Sequence, residues 1–250
     1  MPRIRIDLSY DGGEFCGWQL QKTDPSVQGA IEEALLSLTG EEIRVIGSGR
    51  TDSGVHARCQ TAHFDTEASI PPQKYTPALN GALPLGVRIL RSGEVSPRFH
   101  ARFSARLRSY RYQIIPGRKA TPFDSRYALA LKGRPNLQRL NALARMLVGT
   151  HDFSTFTAAG DPSESRVRRI ESALFFPLGE MILFQISGNA FLWRMVRSIV
   201  GTLLEMEAQG RGPEELARIL ASGERSAAGV TAPAMGLFLY KVEYDEEFRI

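Results

Sequence analysis

Twice along its 250 residues the chain runs through one succession of hydrophobic patterns: strand, helix, strand, strand, helix, strand. Few architectures accommodate that succession. In the first half, Ile4, Ile6, Leu8 and Tyr10 alternate with Arg3, Arg5, Asp7 and Ser9 at strand period. Val27, Ala30, Ile31, Ala34, Leu35 and Leu38 follow at helical spacing until Gly40 stops the run. Val45-Ile46 leads into a loop punctuated by glycine, Gly47 to Gly54. A strand over 55–65, a short helix over 74–83 and a strand over 87–90 complete the first set. The second half opens with a strand over 104–115 and a helix stripe of Leu137, Leu140, Leu143, Ala144 and Leu147. Two strands follow, over 168–176 and 181–187, turning at Pro177-Leu178-Gly179. A helix from 191 carries Leu192, Met195, Val196, Ile199, Leu203 and Met206. A short helix opened by Pro213 and a strand over 237–244 close the chain.

The residues themselves do not repeat; only the pattern does. The expected fold is α+β, two ferredoxin-like (β-α-β-β-α-β) units with antiparallel sheets packed side by side around a basic cleft. The expected domains are 1–100 and 101–250, with no low-complexity linker between them. The apolar content of 43% supplies core enough for a globular chain. The net charge is only +4, yet 26 of the 31 basic residues are arginine, a bias that suits phosphate contacts and base stacking. Two cysteines, Cys16 and Cys59, make neither a disulfide framework nor a four-ligand zinc site. No apolar run reaches the ~18 residues of a membrane span, and Met1-Pro-Arg-Ile-Arg is no signal peptide. A cytoplasmic protein without membrane association is expected.

The densest polar segment is Gly47-Ser48-Gly49-Arg50-Thr51-Asp52-Ser53-Gly54-Val55-His56-Ala57. It lacks the Gly-Lys-Ser/Thr ending of a P-loop and the third glycine of a dinucleotide fingerprint. It therefore reads as a tight loop presenting Arg50, Thr51, Asp52 and His56, or as a surface turn in which Asp52 caps the backbone and Arg50 is solvated. His56 and His63 flank Cys59, but strand geometry spreads these three and no second pair stands nearby, so no metal is expected. On the strand from 104, alternation places Arg106, Arg108, Tyr110, Tyr112 and Ile114 on one face. That face is either a platform for phosphates and bases or an ordinary half-aromatic sheet. Arg197 lies among core-forming residues of the 191 helix, where an unpaired charge is costly, so it should have an acidic partner. That partner is either a structural ion pair or a catalytic carboxylate.

Several segments together resemble the TruA family of tRNA pseudouridine synthases. They are Ser9-Tyr10-Asp11-Gly12-Gly13 with Phe15-Cys16-Gly17-Trp18-Gln19, then Gly49-Arg50-Thr51-Asp52-Ser53-Gly54-Val55-His56-Ala57. Phe99, Ala101-Arg102, Tyr110-Arg111-Tyr112, His151-Asp152-Phe153, Met195-Val196-Arg197, Ala232-Pro233 and Gly236-Leu237 complete the set. The resemblance implies isomerisation of uridine to pseudouridine at positions 38, 39 and 40 of the tRNA anticodon stem-loop, by a homodimer and without cofactor or metal. It implies Asp52 as the nucleophile on the N-terminal domain, and Arg197 as the cation that keeps Asp52 ionised. Tyr110 would stack on the base and take its carbon-5 proton, Leu237 would support the base from the other side, and Arg50 would fill the gap left by the flipped uridine. Two rivals remain at this point. One is a non-catalytic RNA-binding protein of two sheet modules, against which stands the absence of an RNP1 pattern. The other is a nucleoside hydrolase, which would want a second acid beside Asp52.

Overall fold

The computed structural model describes residues 1–250. In chain order the elements are β1 (Arg3–Tyr10), α1 (Val27–Thr39), β2 (Ile46–Gly47), β3 (His56–Asp65), α2 (Tyr75–Ala82), β4 (Val87–Val95), β5 (Leu107–Pro116), β6 (Leu129–Leu131), α3 (Leu137–Arg145), β7 (Gly149–Asp152), β8 (Val167–Leu178), β9 (Met181–Gly188), α4 (Met195–Ala208), α5 (Pro213–Ser222) and β10 (Leu237–Glu243). The architecture is mixed α+β with mostly antiparallel pairing. The chain divides into two compact units, Met1–Leu107 with Phe238–Ile250, and Arg108–Leu237. The sequence reading grouped all of 101–250. The closing strand instead lies parallel to β3, Phe238 opposite His56 and Leu239 opposite Ala57, a pairing between residues far apart that no local pattern displays.

In the first unit the strands run in the order β4-β1-β3, with β2 on the far side of β3 and β10 also against β3. Ser26 caps α1 by accepting the Gly29 amide at 3.1 Å, and Gly40 ends it in the left-handed conformation. Ile4, Ile6 and Leu8 of β1 face Phe64, Ala62 and Gln60, all buried. The intervening polar residues are buried too. Asp7, 1% exposed, takes Arg5 at 3.0 Å, Arg91 at 2.6 Å and the Thr61 hydroxyl at 2.7 Å. The C-terminal segment covers this face: Arg5 donates to the Phe248 carbonyl and lies 4.7 Å from the Tyr244 ring centroid. A buried charge needs such company, because removing one partner of a buried pair costs about 3–5 kcal/mol. Between Leu8 opposite Gln60 and Tyr10 opposite Ala57, β3 carries one extra residue, a bulge just after the glycine loop.

In the second unit the order is β5-β9-β8-β7, antiparallel throughout, with short β6 parallel to β5. Asn136 caps α3, whose Leu140, Leu143 and Ala144 are buried. The sequence reading began the next helix at 191, whereas α4 begins at Met195. Arg194 stands before it at φ +61, the one residue other than glycine with positive φ. Just before it, the buried Asp161 carboxylate accepts the Trp193 amide at 2.5 Å and the Ser163 amide at 2.8 Å. These bonds hold Asp161 down at a pKa of about 2 although burial alone opposes its charge. No helix is long and apolar enough to cross a membrane.

Candidate active site

The glycine loop joins β2 to β3 and is fixed by its main chain. Ser48 donates its amide to Thr61 O at 2.8 Å and its hydroxyl to the Gln60 side chain, which in turn donates to Gly49 O at 3.0 Å. The buried Thr51 hydroxyl meets Tyr10 at 2.9 Å, and Thr51 O accepts the Trp18 amide at 3.1 Å. A turn closes with Val55 N on Asp52 O at 3.1 Å, Gly54 taking the left-handed angle. The result leaves Asp52 half-buried between a buried Thr51 and an exposed Ser53, with Arg50 exposed.

Two glycines of the Asp11–Trp18 segment let it press against this loop. A Cβ on Gly17, at φ +95, would stand 2.5 Å from Thr51 O. One on Gly12 would stand 2.0 Å from Val55 O. His56 stacks on Phe238 with centroids 4.7 Å apart, and its Nδ1 lies 3.0 Å from both the Gly12 amide and the Asp11 carboxylate. The sequence reading attached no role to Gly12, Gly17, Trp18 or Gln60, although three of them stand in its quoted segments. Their work is non-local contact, which spacing does not display.

In the second unit, Tyr110 of β5 lies opposite Ile186 of β9, 8% exposed, with the Phe191 ring edge-on at 5.0 Å. Its strand face differs from the open basic platform considered from alternation. Arg106 precedes the strand and pairs with Asp245, while Arg108, Tyr112 and Ile114 are buried. Tyr112 donates to Pro233 O at 2.8 Å, and burial pushes its hydroxyl well above the usual range. Arg197 of α4 is half-buried and donates from Nε to Ala232 O at 2.8 Å, while its own carbonyl accepts the Ala232 amide at 3.0 Å. After the turn Ala234–Gly236 comes Leu237, which is buried. One strap, 232–237, thus ties Arg197, the Tyr112 hydroxyl two residues beyond Tyr110, and Leu237 together. Asp52 and Arg50 share one loop of the first unit; in the second unit Arg197 and Leu237 meet at this strap, and Tyr110 lies on β5 two residues before the Tyr112 that the strap holds.

A family model described as tRNA pseudouridine synthase matches residues 8–104 and 143–245. The chain belongs to that family. The match contains Arg50, Asp52, Arg197 and Leu237; Tyr110 falls between its two segments. Among curated relatives, the tRNA pseudouridine synthase A of Halalkalibacterium halodurans is 44% identical over 95% of this chain and 90% of its own. That of Treponema denticola is 44% identical over 98% and 93%, and that of Brevibacillus brevis 44% over 98% and 100%.

Proposed function

We propose that this chain isomerises uridine to pseudouridine at positions 38, 39 and 40 in the anticodon stem-loop of tRNA. The N1–C1′ bond breaks, the uracil turns, the C5–C1′ bond forms, and the C5 proton leaves for solvent while N1 gains one. No electron is gained or lost. Asp52 is the nucleophile. Arg197 is its counter-charge, Tyr110 stacks on the base and takes the C5 proton, and Leu237 backs the base. The uridine is flipped out of the stem-loop, and Arg50 fills its place. The enzyme works in the cytoplasm as a homodimer on tRNA.

The observation that carries this reading is the fixed placement of Asp52, half-buried on a loop bonded to Thr61, Tyr10 and Trp18. A surface turn needs no such bracing. Support for two ferredoxin-like units comes from the order β4-β1-β3-β2, the order of such a unit, and from β5-β9-β8, its first, third and second strands. The test is incubation of an unmodified tRNA transcript with the protein alone, followed by mapping of pseudouridine. Product at 38–40 from wild type and none from Asp52→Asn is the expected result. Free uracil would establish a hydrolase, and bound tRNA without product a silent RNA-binding protein.

A further inference from the structure

Between β4 and β5 the chain displays a bare aromatic ring. Phe103 is 76% exposed, yet its position is fixed. Its amide and that of Arg102 both point to His100 Nδ1, at 3.3 and 3.2 Å. The His100 ring lies under it, centroids 4.3 Å apart and 33° between planes. His100 is itself bonded both ways to Ser104, at 3.0 and 2.8 Å. Next to it, Ala101 donates to His63 Nδ1 at 3.2 Å and accepts from Tyr244 at 2.6 Å. Burial and the Arg3 charge push His100 below its ordinary value, so the ring is neutral and its Nδ1 accepts. The Arg102 guanidinium lies 5.7 Å from the Phe103 centroid and is exposed to water.

Hydrophobic burial would draw such a ring inward were it free to turn. Here the backbone bonds and the histidine beneath hold it outward. A rigid aromatic plane with a cation beside it is how proteins receive single-stranded nucleic acid, since every base offers a π-face and every nucleotide a phosphate. The neighbouring Arg98 and Arg106 pair with Glu247 at 3.2 Å and Asp245 at 2.5 Å, at either side of this tip. We propose that Phe103, braced by His100 and flanked by Arg102, is a stacking platform for an unpaired base of the RNA substrate. The inference rests on the tRNA reading above and adds a contact outside the five residues placed at the chemistry.

The experiment measures binding of unmodified tRNA transcript to full-length wild type, Phe103→Ala, Phe103→Leu and Phe103→Tyr, with sedimentation of each. Loss of the ring should weaken binding about tenfold in both Ala and Leu variants, while Tyr stays within about twofold. Because stacking releases no counterions, the ratio of variant to wild-type affinity should hold constant with salt, whereas Arg102→Gln should lower the salt slope by about one. Wild-type affinity in the Leu variant would overturn the platform, since apolar bulk would then suffice. So would loss of affinity accompanied by a change in sedimentation, which would assign the ring to an interface between copies. Binding is scored apart from product. Wild type that binds tRNA without forming pseudouridine overturns the proposed function alone, and wild type that does not bind tRNA overturns both.

Discussion

Replacing Asp52 with asparagine keeps the shape of the side chain and removes its charge. Pseudouridine formation by Asp52→Asn should fall below detection while tRNA affinity changes by less than about tenfold, as read by product mapping and a binding titration. Tyr110→Phe keeps the ring against Phe191 and removes the hydroxyl. If the hydroxyl takes the C5 proton, single-turnover rates should drop by about 10²-fold with affinity retained; an unchanged rate would leave Tyr110 a stacking surface. Gly17 offers a third test, because both its φ of +95 and the Thr51 carbonyl exclude a side chain there. Gly17→Ala should lower stability by about 1–3 kcal/mol in a denaturant titration, and turnover by more than the unfolded fraction explains. A variant that unfolds without a separate loss of turnover would make the segment scaffold only.

At the scale of elements, the strap 232–237 does the joining in the second unit. Tyr112→Phe removes one bond to Pro233 and should cost about 1 kcal/mol, with a smaller effect on turnover than Tyr110→Phe. The elements themselves are largely legible: helical spacing from Val27 and the stop at Gly40 mark α1, whereas the turn expected at Pro177-Leu178-Gly179 comes later, since Pro177 and Leu178 still pair with Ile182 and Met181 and the chain turns at Gly179-Glu180. Alternation also put Tyr110 and Tyr112 on one face of β5, but it did not say that Arg108 there would be buried with them. A strand period reports which side chains share a face and nothing of what covers it. The start of α4 was misplaced by four residues for a similar reason. Helical spacing runs on through Leu192, while the left-handed turn at Arg194, which spacing does not display, confines the helix to Met195 onward. Of the candidate site, the glycine loop stands out as the densest polar segment, but its residues alone leave Asp52 between a presented group and a capping one, and its role comes from the family resemblance; the bracing by Gly12, Gly17 and Trp18 depends on non-local contact and leaves no local trace.

For the whole molecule, His63 should be one route by which acid destabilises the fold. Burial, then the Arg3 charge, lowers its pKa from 6.5 to about 4, so the unfolded chain binds a proton there more readily than the folded one. Its stabilising share is full above pH 6.5 and is lost as pH falls toward 4. Unfolding midpoints measured across that window should slope downward in wild type and be flatter in His63→Gln, whose side chain can still accept the Ala101 amide. Equal slopes would remove His63 from acid sensitivity. The C-terminal residues Phe238–Ile250 belong to the first unit, where Phe238 stacks on His56 directly after the Asp52 loop. A ribosome reads messages from one end, so the opening hundred residues emerge long before the strand that finishes their sheet. Until residues 238–248 emerge, His56 has no ring to lie on and Arg5 no Phe248 carbonyl to bond. Nascent chains stalled before residue 237 should therefore expose this unit to protease, and the same chains extended through residue 250 and clear of the exit tunnel should resist it. Residues 238–250 act as a latch on a unit made long before them, and a copy cut short of them carries its aspartate loop unfinished.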